Sequence, residues 1–169
     1  VDQSPSLLDE RVTEGDRTGL LALYSLSKQS NLAGYRAGLV AGGARLIAEL
    51  LLARKHLGLI VPSPIQAVVS AVLGDADHVD TQRERYRHRR TMLAKALRAA
   101  GFRLDHSEAG LYLWVTKGQD AWETVSWFSE RGILVAPGSF YGAAGSQHVR
   151  VAFTASDEAV LSAAKRLQG

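Results

Sequence analysis

One segment combines residue types and spacing suited to covalent chemistry: residues 25–38, SLSKQSNLAGYRAG. Lys28 follows an apolar run of strand length at residues 20–25, so its ammonium must either reach water or find a use. Hydroxyls lie three and one positions before it, on Ser25 and Ser27, and Arg36 follows eight positions later in a glycine-flanked turn. An amine condenses with an aldehyde to a Schiff base, while hydroxyls and a guanidinium hold a phosphate. The set suits an aldehyde that carries a phosphate group. Lys28 by itself would read as a strand-end lysine snorkelling to solvent; the segment as a whole reverses that balance.

The elements that must position this segment follow from periodicity and punctuation. Residues 1–19 are polar and irregular and read as a loop or a weak leading segment. Residues 20–25 and 37–41 read as short buried strands of parallel type, the second flanked by Gly34, Gly38, Gly42 and Gly43. Helical spacing spans 44–57, with Gly58 as a stop; Pro62 and Pro64 break the chain, and helices restart over 65–73 and 77–100, the latter capped by Gly101. From 102 onward the order is strand (102–106), strand (110–116), an amphipathic helix (120–131) carrying Trp122, Val125, Phe128 and Ser129, a short strand (133–136), a strand (148–153) and a helix (157–167). That is an α+β lobe with a small sheet covered by helices on one face. Two strands of parallel type cannot make a covered sheet by themselves, so residues 1–58 read as a remnant of a larger domain and 59–169 as a small domain.

Composition narrows the class. The 169 residues are 46% hydrophobic and include no cysteine, which excludes disulfides, a thiolate metal site and a cysteine nucleophile. No apolar stretch is long enough to span a bilayer and no signal peptide is visible, so a cytoplasmic location is expected, with no membrane partner. Twenty Lys and Arg against seventeen Asp and Glu is too balanced to imply a polyanion partner. The exception, QRERYRHRR at 82–90, lies within a helical pattern and reads as a solvated face rather than a nucleic-acid site. The five histidines show no metal-ligand spacing, so no metal is expected; His148 and Arg150 share a strand face with no evident partner.

The segment SLSKQSNLAGYRAG resembles the lysine-attachment signature of the class I/II aminotransferases, pyridoxal-phosphate enzymes of fold type I. Ser25, Ser27, Lys28, Leu32, Gly34, Arg36 and Gly38 fill its constrained positions. The resemblance implies that Lys28 bonds the cofactor aldehyde and shuttles the proton, and that Ser25 and Arg36 hold the cofactor phosphate, with Ser27 beside them. An amine that acts as nucleophile and base must shed its proton, which cationic and partly desolvated surroundings favour. GILVAPGSFYG at 132–142 and HVRVAF at 148–153 are similar to the small-domain end of the same enzymes, where an arginine pairs with the substrate α-carboxylate. Arg150 matches that arginine. Bidentate pairing would fix both charge and orientation. The aromatics of GLYLW at 110–114 read as packing rather than catalytic, and Tyr141 as pocket lining or packing.

The resemblance also implies an α/β fold of the aspartate-aminotransferase type, of which this chain would be the C-terminal part. A glycine-rich phosphate loop, a ring-stacking aromatic, an Asn and the Asp that meets the ring nitrogen would lie upstream of its first residue. Asp2, Asp9 and Asp16 do not stand in that Asp's context. As a fragment, the chain is expected to fold poorly around 20–25 and 37–41 and to bind cofactor weakly; the full-length enzyme is expected to be a homodimer. Within the family, LYSLSKQSNLAGYRAG, HSEAGLYLW and HVRVAFTA look closest to actinobacterial succinyldiaminopimelate aminotransferases, which implies amino-acid and 2-oxo-acid substrates in lysine biosynthesis. Two alternatives stay open: a carbon–sulfur lyase or synthase of the same fold type, and a non-catalytic half-domain serving as a binding module.

Overall fold

The computed structural model describes residues 5–58 and 60–168; Asp2 and the position 59 at which the small domain is expected to begin lie outside them. By its contacts the chain divides into two compact units, one ending at Thr81 and the other beginning at Gln82, inside one long helix. The boundary read from the sequence, at 58/59, rests on Gly58 and the prolines that follow.

The first unit opens on a single helical turn, α1 (Glu10–Thr13), within the stretch expected to be loop; the Asp9 carboxylate accepts from the Arg11 backbone N–H. β1 (Leu21–Ser25) and β2 (Gly38–Gly42) pair antiparallel, from Leu21 opposite Gly42 to Ser25 opposite Gly38. This corrects the expectation of parallel-type strands. The chain between them holds only a one-turn helix, α2 (Leu26–Gln29), and a 3-10 turn (Ala33–Tyr35), which reverse its direction instead of carrying it back across a sheet face. The strands are not fully buried either: Leu23 and Tyr24 are exposed. Glycine is required at position 38, because a Cβ there would lie 2.8 Å from the Tyr24 carbonyl oxygen. α3 (Ala44–Leu57) ends as predicted at Gly58, whose φ of 70° suits a residue without a Cβ. α4 (Ser63–Leu73) carries Pro64 in its first turn, where the missing N–H costs nothing.

α5 (Asp77–Ala99) leads into the second unit. There β3 (Arg103–Asp105), β4 (Tyr112–Thr116), β5 (Ala136–Pro137) and β6 (Val149–Ala152) form one antiparallel sheet in the order β3-β4-β6-β5. Alternation sends Leu113, Val115, Val149 and Val151 to the core. They join Leu93, Ala96 and Leu97 of α5, Phe128 of α6 (Ala121–Ser129), and Val160 and Ala164 of α7 (Asp157–Arg166). Of the residues singled out on α6, Phe128 is buried and Val125 packs against the core, but Trp122 is exposed and meets the ring of Phe140 edge-on.

The arginine run on α5 faces water only in part. Arg85 and Arg87 are exposed, and Arg87 pairs with Glu84. Arg89 is buried and donates to Asp157 at 2.5 Å, because it falls on the helical stripe that continues through Leu93 and Leu97.

Candidate active site

Ser25 ends β1 and caps α2. Its hydroxyl accepts from the Ser27 N–H at 3.2 Å and lies 3.0 Å from the Ser27 hydroxyl, so the two side chains expected to act together are linked. Leu26, fully buried, anchors this turn, and the Ser30 hydroxyl ties its far end to His78 Nε2 at 2.9 Å. Lys28 projects from α2 and is exposed, rather than partly desolvated as expected, among the described residues. Arg36 closes the loop just before β2. Its backbone is left-handed, with φ 53°, and Asn31 is left-handed too, with φ 55°. Two such non-glycine residues in one short loop store backbone strain, a feature that concentrates at functional sites. The Arg36 guanidinium donates to the Ala33 carbonyl at 2.8 Å.

These residues fit the phosphate and aldehyde end of pyridoxal phosphate by their donor chemistry: two linked hydroxyls, a guanidinium and an exposed amine in one loop. The two described aspartates ahead of Lys28 are both engaged locally. Asp9 is engaged by Arg11, and the Asp16 carboxylate accepts from the Thr18 N–H at 2.7 Å.

Arg150 belongs to the second unit. One row of cross-strand neighbours runs Asp105, Trp114, Arg150, Ala136 over the sheet face opposite the core. The Arg150 guanidinium carbon lies 4.2 Å from the centre of the Tyr112 ring and 5.3 Å from that of Tyr141. Its Nε is buried without a hydrogen-bond partner. His148, which showed no evident partner in the sequence, has two: Asp105 at 3.0 Å through Nε2, and the Trp114 ring stacked on it at an interplanar angle of 8°. Asp105 also receives the Arg103 guanidinium in a two-pronged contact. Arg103 first, and then His148, holds its carboxyl far below the usual carboxylate range. The sequence reading missed Asp105, which does not share a strand with His148; only the registers of β3 on β4 and of β4 on β6 could have revealed it.

A family model, "Aminotransferase class I and II", matches residues 2–167. This chain belongs to the class I and II aminotransferases. Two curated members are each 56% identical to it: probable aminotransferase Rv1178 of Mycobacterium tuberculosis, over 96% of this chain and 39% of that protein, and 4-dedimethylamino-4-oxo-anhydrotetracycline transaminase OxyQ of Streptomyces rimosus, over 98% and 46%. The chain thus spans less than half the length of either relative. Among solved aminotransferases, the probable N-succinyldiaminopimelate aminotransferase of Thermus thermophilus superposes with a TM-score of 0.74 at 32% identity, over 91% of this chain and 42% of that one. As the resemblance implied, this chain carries part of the aspartate-aminotransferase-type α/β fold.

Proposed function

We propose that the protein is a pyridoxal-phosphate-dependent aminotransferase that moves an amino group between an amino acid and a 2-oxo acid. The observation that carries this reading is the loop between β1 and β2, where Ser25, Ser27, Lys28 and Arg36 fall together in a strained connection. Pyridoxal phosphate, when bound, supplies an electron-withdrawing ring that makes a substrate α-proton removable. The linked hydroxyls of Ser25 and Ser27 would hold its phosphate, and Arg36 would offer a fixed fork of N–H donors that a lysine could not reproduce. Lys28 holds and moves the proton at its Nζ. Arg150 takes the substrate α-carboxylate; its buried Nε has no hydrogen-bond partner within the chain.

Within this reading we assign N-succinyldiaminopimelate as amino donor and 2-oxoglutarate as acceptor, in lysine biosynthesis. Support comes from the likeness to the Thermus thermophilus enzyme; neither relative at 56% identity carries that substrate in its name. The reading extends, on the resemblance, to a homodimer in the cytoplasm; no described helix is long and apolar enough to cross a membrane.

The test is a titration of the whole protein with pyridoxal phosphate, followed by visible absorption, beside Lys28→Ala. A saturable band absent from the variant is expected. Identical spectra would overturn the role of Lys28. Amino transfer to 2-oxoglutarate, measured with N-succinyldiaminopimelate and with L-glutamate analogues as donors, then decides the substrate. Ammonia and pyruvate released from a cysteine conjugate, without amino transfer, would replace this reading by a carbon–sulfur lyase.

A further inference from the structure

We propose that Tyr112 and Tyr141 are positioning residues for Arg150, their rings holding the guanidinium in place while leaving its N–H groups free for a substrate carboxylate. The proposal rests on the reading of Arg150 given above. Three observations carry it. The guanidinium is flanked by two rings from separate elements, Tyr112 on β4 and Tyr141 in the 3-10 turn Gly138–Tyr141, at 4.2 and 5.3 Å. No acidic group engages it: Nε is buried and unpartnered, and Arg150 enters no salt bridge among the described residues. The other sheet-face arginine, Arg103, is neutralised by Asp105. Finally, one of the rings is itself braced. Trp114 meets Tyr141 edge-on at 5.8 Å and stacks on His148, which Asp105 holds at 3.0 Å.

The physical logic lies in what each kind of partner consumes. A carboxylate would steady the guanidinium by occupying the same donors that a substrate carboxylate needs. An aromatic face attracts the cation through its quadrupole and leaves those donors open. A guanidinium held in this way loses less freedom when the substrate arrives, so affinity rises without a new contact. The Tyr hydroxyls play no part in this, so phenylalanine should serve as well.

The experiment measures KM and kcat for 2-oxoglutarate on the whole protein with pyridoxal phosphate. Tyr112→Leu, Tyr112→Phe, Tyr141→Leu and Tyr141→Phe are each made with Arg150 present and in an Arg150→Ala background. The leucine variants are expected to raise KM about three- to tenfold, with a smaller change in kcat. The phenylalanine variants are expected to stay near wild type, and the leucine effect should vanish once Arg150 is gone. A leucine effect that persists undiminished in the Arg150→Ala background would overturn the proposal and leave the role of Arg150 standing. So would phenylalanine variants as impaired as the leucine ones. An Arg150→Ala variant with unchanged KM would overturn the carboxylate role itself, and this proposal with it.

Discussion

Asp105 shows how a single carboxylate can set acid tolerance. Arg103 grips it with two N–H donors, His148 adds a third contact at 3.0 Å, and its carboxyl is held far below the usual range. A carboxyl depressed in the folded state stabilises that state above its unfolded value, about 4, and the contribution disappears as pH falls through the folded value. Unfolding midpoints measured from pH 6 down to pH 2 should therefore decline more steeply for the native protein than for Asp105→Asn. Parallel curves would show that the contact contributes nothing. Placement was legible only where it was local. Ser25, Ser27, Lys28 and Arg36 share the one loop between β1 and β2 that their spacing in the sequence implies. Asp105 and His148 belong together only because β3, β4 and β6 pair in one register, and no sequence spacing encodes that.

At the scale of elements, the turn that presents Tyr141 depends on Gly138. A Cβ there would lie 2.6 Å from the His148 carbonyl oxygen and 2.8 Å from the Trp114 ring, with the Gly145 carbonyl nearer still. The carbonyls are backbone and cannot swing aside, so Gly138→Ala should cost about 1–3 kcal/mol of stability by overpacking, read from denaturant unfolding. A loss below about 0.5 kcal/mol would mean the turn yields freely. Helices were the best-read elements: α3 runs over the residues its periodicity marks, and Gly58 ends it. Strand existence was legible, but partnership was not. Apolar runs such as LLALYS look alike whether a strand is parallel and buried or, as β1 is, antiparallel and half exposed. The run at 82–90 shows the matching weakness for charge. The helical pattern suggested a wet face, whereas Arg89 falls on the buried stripe, where Asp157 receives it.

Across the whole chain, the two units differ in how much apolar surface each one covers. The second unit owns a contiguous core from Leu93 to Leu167, with Phe128, Leu97, Leu113, Val115 and Val149 fully buried. In the first, Leu26 and Ala37 are the buried apolar side chains among the described residues, while Leu23, Leu51, Leu52 and Leu57 stand exposed. Hydrophobic burial is the main favourable term in folding, so local stability should follow this division. Hydrogen exchange on the 169-residue chain should therefore find slow amides on β4, β6, α6 and the C-terminal half of α5. Amides of β1, β2 and α3 should exchange faster by about two orders of magnitude or more, which corresponds to a gap of about 2.7 kcal/mol or more in opening free energy. Adding pyridoxal phosphate separates two causes of that weakness. If the loop between β1 and β2 already forms the phosphate and aldehyde site, the cofactor should slow exchange at Leu26–Arg36 by binding the folded form alone. Uniform protection across both units before any addition would show instead that the first unit is held by more than its buried side chains.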